Sequence, residues 1–154
     1  MEIARNLKIE SVLRLHPTSP WQVTPTQSVA EAVALMREKG VGCVLVCLER
    51  KVVGIFTERD LLRRVMALGK PLSAPVYESM THQPVTVHPK DSIATALRRM
   101  EEGGYRHLPV VVEDKPVGIL SVKRIVHYLV EHFPATVYNL PPGMQSFLPR
   151  REGA

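Results

Sequence analysis

The sequence predicts a mixed α/β (α+β) fold in which two β-α-β-β-α units pack about a pseudo-twofold axis. Three observations lead there. The chain repeats itself without a gap at an offset of 64 residues. Each copy shows first a helical and then a strand-like hydrophobic period. Neither copy is long enough to bury both faces of its own sheet, so the two must share a core.

The repeat is explicit in the residues. Pro20 matches Pro84, Val23 matches Val87, Pro25 matches Pro89 and Ser28 matches Ser92. Ala32, Met36 and Gly40 match Ala96, Met100 and Gly104, and Val53-Gly54-Ile55 matches Val117-Gly118-Ile119. The units run over 12–66 and 76–130. The linker over 67–75 is punctuated by Gly69, Pro71 and Pro75. Residues 131–154 repeat nothing and are expected to form an extended tail.

Within each unit the elements follow in order. A short extended lead-in (Trp21–Thr24, Val85–His88) precedes a helix. Ser28 with Glu31 has the spacing of a capping box, and Val29, Ala32, Val33 and Met36 fall on one face. Ser92 opens the second copy, with Ile93, Ala96, Leu97 and Met100 as its stripe, and Gly40 and Gly104 are the stops. Two strands follow, Cys43–Leu48 with Val52–Phe56 and His107–Val112 with Val117–Leu120. A last helix carries Leu61, Leu62 and Val65, or Ile125, Val126 and Leu129.

Composition narrows the function. Hydrophobic residues make up 45% of the chain, too many for a disordered one. The longest apolar run, Val41–Leu48, is too short to cross a bilayer. The N-terminal residues lack an apolar signal-like run, which predicts a cytoplasmic protein. Cys43 and Cys47 read as buried free thiols. The net charge of +5 comes from scattered residues, and only 5% are aromatic, so no stacking platform for nucleic acid is expected. The six histidines are dispersed and make no H-E-x-x-H pattern, which argues against an enzyme and against a metal site.

Two segments carry candidate binding chemistry. Gly54-Ile-Phe-Thr-Glu-Arg-Asp60 sits at a strand-to-helix turn. Thr57 and Asp60 can simply cap the helix, but a hydroxyl and a carboxylate there also suit the vicinal diol of a ribose. The matching Ser121 keeps the cap while Arg124 replaces the acid, a cation that opposes the helix dipole. The second segment, Tyr105-Arg-His-Leu-Pro109, adds Arg106 and His107 where the first copy has Gly42 and Cys43. Arg106 is a forked cation suited to phosphate, and Lys123 lies near the same cleft by symmetry.

These motifs at constant offset resemble the tandem CBS repeats (Bateman modules) of bacterial stand-alone pairs and of the gamma subunit of AMP-activated protein kinase. The resemblance implies a regulatory, energy-sensing module that binds AMP, ADP, ATP or a related adenosyl ligand, with no cofactor and no catalysis. It implies ribose at Thr57 and Asp60, a pocket from Ile55, Arg59, Pro84, Val85, Thr86 and Tyr105, and phosphate at Arg106, His107 and Lys123. A second cleft would use Pro20, Trp21, Gln22, Val41, Gly42 and Cys43, with Ser121 and Arg124 at its ribose position. The resemblance further implies a homodimer through helices near Leu61–Leu68 and Ile125–Phe133 and action on a separate effector protein. The alternative is a protein- or nucleic-acid-interaction module with empty clefts, which the +5 charge permits.

Overall fold

The computed structural model describes residues 2–134, so all but the first residues of the expected tail lie outside the described residues. A helix that the repeat does not contain comes first, α1 (Glu2–Ile9), followed by a 3-10 turn at Val12–Leu15. The first repeat then supplies β1 (Gln22–Val23), α2 (Val29–Lys39), β2 (Cys43–Leu48) and β3 (Lys51–Thr57). Its last helix begins as α3 (Glu58–Asp60) and widens into a π-helical stretch, Leu61–Met66, with Ala67 N bonded to Leu62 O and Lys70 N to Val65 O. After β4 (Thr81–His82) come α4 (Ile93–Gly103), β5 (His107–Val112), β6 (Lys115–Ser121) and α5 (Val122–His132).

Local chemistry explains these boundaries. The Ser28 hydroxyl accepts from the Glu31 amide at 3.1 Å while the Glu31 carboxylate accepts from the Ser28 amide at 3.0 Å, which satisfies two donors at the start of α2. Ser92 caps α4 through the Thr95 amide. Gly40 and Gly104 end α2 and α4 in the left-handed region, at φ 63° and 68°, where a Cβ would be strained.

The repeat survives in the strand register. Cys43 faces Thr57 and Leu48 faces Lys51, and 64 residues later His107 faces Ser121 and Val112 faces Lys115. Both ladders slip at the same place, between Val46 and Cys47 and between Val110 and Val111. The first sheet has the order β1-β2-β3-β4, with β1 parallel to β2. The second is the β5-β6 hairpin, and its lead-in narrows to a single parallel bridge, Val87 to Val110.

Both hairpins turn in two residues at positive φ, Glu49 and Arg50 at 51° and 67°, Glu113 and Asp114 at 52° and 65°. Such turns match the strand twist, but each non-glycine residue held there costs about 1 kcal/mol. Replacing Glu49-Arg50 by Asn-Gly is therefore expected to raise the melting temperature, measured by calorimetry; an unchanged or lower value would contradict the account.

The repeats exchange their leading segments. Val12 and Leu15 belong to the core of the second repeat, with Ile93, Met100, Leu108, Leu120 and Ile125. Val76 and Met80 belong to that of the first, with Val29, Met36, Val46, Phe56 and Val65. The open edge of each hairpin drives this, because unpaired strand edges need partners. Thr18 exchanges both backbone bonds with Ile119, and β4 pairs with β3. Between the sheets lies a third cluster of Cys43, Leu45, Cys47, Ile55 and Ile119. Strand β2 is thus covered on both faces, Val44 and Val46 toward the helices and the thiols toward the other repeat. Both cysteines are free and buried.

The exchange carries α1 onto the second repeat, where Ile3 and Leu7 pack and the Tyr128 hydroxyl donates to Asn6 Oδ1 at 2.8 Å. The two surfaces expected to be apolar are therefore unlike. Ile125 and Leu129 are buried, with Val130 and Phe133 packed against the same core, whereas Leu62, Met66 and Leu68 are each at least 60% exposed. The expectation of an open apolar face along Ile125–Phe133 is corrected: its apolar residues turn into the second core, against α4 and the exchanged Val12–Leu15 turn.

Candidate functional site

The turn from β3 into α3 is built around Asp60. Its carboxylate accepts from the Thr57 amide at 3.0 Å and the Thr57 hydroxyl at 3.1 Å, while the Asp60 amide donates back to Thr57 Oγ1 at 3.2 Å. This is the capping arrangement. Two further partners come from outside the turn: the Thr81 hydroxyl donates to Oδ1 at 3.3 Å, and Arg64 Nε lies 3.5 Å from the same oxygen. Asp60 is a buried charge, 5% exposed, and such a group requires partners of this kind. Thr81, a residue of the exchanged strand, was not among the expected site residues. No local pattern marks it, because it reaches Asp60 only through β4–β3 pairing.

The structure brings the two repeats together beside this turn. Arg59 Nη1 donates to Gly104 O at 3.1 Å, which places Tyr105 next to the first repeat's helix start. Ile55 pairs with Thr81 in the sheet. The backbone carbonyl of Arg106 accepts from the Val122 amide, and His107 pairs with Ser121, so the start of β5 lies against the start of α5, which bears Lys123 and Arg124. Val85 and Tyr105 are each 38% exposed. Pro84 and Thr86, however, line a groove of about 430 Å³ with Val53, Tyr77, Gln83 and Asp114, which Thr57, Asp60 and Arg106 do not reach.

Gly42, expected in the second cleft, is the meeting point of both repeats. A Cβ there would stand 3.1 Å from Glu58 Oε1 and 3.4 Å from His107 Nε2. His107 is held below its ordinary value of 6.5 because burial disfavours the cation; Glu58 opposes that, and Lys123 and Arg106 reinforce it. The unfolded chain therefore binds this proton more readily than the folded one. The stabilisation is complete above pH 6.5 and is lost as the pH falls through that value toward the lower folded pKa. Thermal melts from pH 8 to pH 5 are expected to show a smaller acid loss of stability for His107→Gln than for the wild type. Identical slopes would remove the argument.

The remaining second-cleft residues have structural partners. Trp21 lies 4.4 Å from Lys39 Nζ in a cation–π contact and packs on the first core. Gln22 pairs in β1, and Val41 packs on the same core. Cys43 is 1% exposed, and its thiol is pushed up to about 12, first by burial and then by the charges of Glu58 and Asp60. Cys47 rises to about 11 through burial. Neither is poised as a thiolate nucleophile. Ser121 precedes α5 without a side-chain cap bond, and Arg124 is exposed. Among the described residues no group of three or more metal-ligating side chains occurs, and no helix is long and apolar enough to cross a membrane.

Two hairpin repeats that share a core and trade their leading strands define a tandem two-repeat architecture, and comparison with known proteins identifies it. The CBS domain family model matches residues 12–67 and 76–131, so the chain belongs to the CBS-domain family. A putative signal-transduction protein with CBS domains from Burkholderia ambifaria is similar at 30% identity and a TM-score of 0.75, over 80% of this chain and 96% of that one. A CBS domain protein from Pyrobaculum aerophilum complexed with AMP is similar at 24% identity and a TM-score of 0.70, over 75% and 89% of the two chains. The CBS domain pair of protein MJ0100, in complex with 5'-methylthioadenosine and S-adenosyl-L-methionine, has a TM-score of 0.72 at 22% identity, over 78% and 99%. These last two likenesses establish the fold. Among curated relatives, the CBS domain-containing protein CBSCBSPB1 of Arabidopsis thaliana is 38% identical over 60% of this chain. The match spans only 17% of that protein's length, and 29% of the arabinose 5-phosphate isomerase KdsD of Francisella tularensis.

Proposed function

We propose that this chain is a non-catalytic, cytoplasmic regulatory module that binds one adenine nucleotide, AMP, ADP or ATP, or a related adenosyl ligand, in the cleft bounded by Thr57 and Asp60. The observation that carries this is the asymmetry at one position. One cleft has a buried carboxylate with loosely occupied acceptor sites, and the other has Arg124. Asp60 Oδ1 holds only the long contacts from Thr81 and Arg64, which ribose hydroxyls replace with shorter ones. The base rests on Val85 and Tyr105. The phosphate meets His107 and the cations of Arg106 and Lys123, which add an attractive field. Relatives whose structures hold AMP or S-adenosylmethionine support the ligand class.

Calorimetric titration with AMP and adenosine tests this. Arg106→Ala is expected to weaken AMP more than adenosine, since only AMP carries phosphate. Binding is also expected to take up protons, seen as a buffer-dependent enthalpy, because a phosphate beside His107 favours its cation. Absence of AMP binding, together with salt-sensitive retention of DNA or RNA, would favour the interaction-module reading. The same reading includes self-association through the exposed Leu62, Met66 and Leu68 and action on a separate effector protein. A monomer by light scattering at high concentration would remove the self-association.

A further inference from the structure

A second groove lies on the outer side of the second repeat. Its volume is about 370 Å³, within the range of small-molecule sites. The exchanged segment contributes Leu13, Arg14, Leu15 and His16, and α5 contributes Arg124, His127, Tyr128, Glu131 and His132. Arg124, expected at the ribose position of the second cleft, lines it, and none of the residues assigned to the Thr57–Asp60 cleft does.

Its electrostatics are unbalanced. Arg124 sits in the first turn of α5, where the helix dipole is positive and a cation is disfavoured. Its counterpart in the first repeat is Asp60. Among the described residues, the side chains of Arg124, His16 and His127 form no hydrogen bond or ion pair. Arg14 bridges Glu10 at 3.3 Å with most of its side chain in water, an ion pair worth little. His132 is stacked on Tyr128 and contacts its carbonyl. The one acid lining the groove is Glu131, about two turns along α5 from Arg124. Two arginines and two imidazoles thus converge from two elements onto an apolar floor of Leu15 and Tyr128, in breach of the local rule for a helix start.

The geometry points to a binding site for a small phosphate-bearing molecule, with a diphosphate held between Arg14 and Arg124 and its phosphate oxygens accepting from His16 and His127. An oxyanion relieves the cation at the helix start and uses the forks of both guanidinium groups. The site is independent of the proposed nucleotide cleft.

The test is calorimetric titration of the full chain with pyrophosphate, with sulfate as control. Arg124→Ala and Arg14→Ala are each expected to weaken pyrophosphate about tenfold or more, the worth of one charge-assisted pair. Both residues are exposed, so the variants should fold, and circular dichroism checks this. Arg98→Ala, which removes an exposed arginine outside both sites, is expected to leave pyrophosphate affinity unchanged, which separates this site from general charge attraction. Amide resonances of Leu13–His16 and Arg124–His127 should shift on titration. Unchanged affinity in both Arg124→Ala and Arg14→Ala, an equal loss in Arg98→Ala, or equal binding of sulfate through general charge attraction would overturn the proposal.

Discussion

Asp60→Asn is expected to lower AMP affinity roughly ten- to a hundredfold while the chain stays folded. The carboxylate accepts in four directions, two inside the cap and two facing Thr81 and Arg64. An amide keeps one acceptor for the Thr57 amide, so the helix start survives at a modest cost. It loses the charge and turns its second arm into a donor, which cannot receive a ribose hydroxyl. Charge-assisted bonds of this kind are worth about 1.5–3 kcal/mol, the size of the expected loss. Asp60→Ala goes further. It strands the half-buried Thr57 amide and Thr81 hydroxyl, so a fall in melting temperature accompanies the loss of binding. Calorimetry and thermal melts on both variants separate the two effects. Full AMP affinity in Asp60→Asn would show that the cap is this residue's whole role.

Gly54→Ala is expected to destabilise the fold by about 1–3 kcal/mol, the usual cost of overpacking a filled core. A Cβ at Gly54 would overlap Met80 Sδ and stand 2.8 Å from its Cε. Met80 is 1% exposed, and its carbonyl accepts from Arg64 Nη1 at 2.9 Å, so neither its side chain nor its backbone has free room. The equivalent glycine of the second repeat meets the exchanged segment in the same way, with a Cβ on Gly118 standing 3.0 Å from Pro17 Cβ and 3.1 Å from the Thr18 carbonyl. Both glycines therefore mark the places where one repeat's leading segment crosses the other's hairpin. Denaturant unfolding of Gly54→Ala, Met80→Ala and the double variant measures the coupling. In the Met80→Ala background the alanine at 54 should cost little. Additive effects would mean that the contact is not the reason for the glycine.

The sequence by itself determined the repeated elements and their ends. The offset of 64 residues, the Ser28 and Ser92 caps and the stops at Gly40 and Gly104 appear where the residues put them, and the paired hairpins do so to within one or two residues, with Lys51 and Lys115 joining the strands. These features rest on interactions between residues a few positions apart, and the repeat states them twice. The residues of the Thr57–Asp60 turn were legible for the same reason, although the bare motif could not separate a cap from a ligand site.

Only the tertiary structure decided what crosses between the repeats. It placed Val12 and Leu15 in the second core and Val76 and Met80 in the first, and it seated α1 on α4. It also brought Thr81 to Asp60 and Arg59 to Gly104, turned Pro84 and Thr86 toward a separate groove, and gathered Arg14, His16, Arg124 and His127 into another. Each of these contacts joins residues far apart in the chain. Their pairing is chosen by which hydrogen-bonding edge and which apolar face are still uncovered once the local elements have formed, and no spacing along the sequence records that choice.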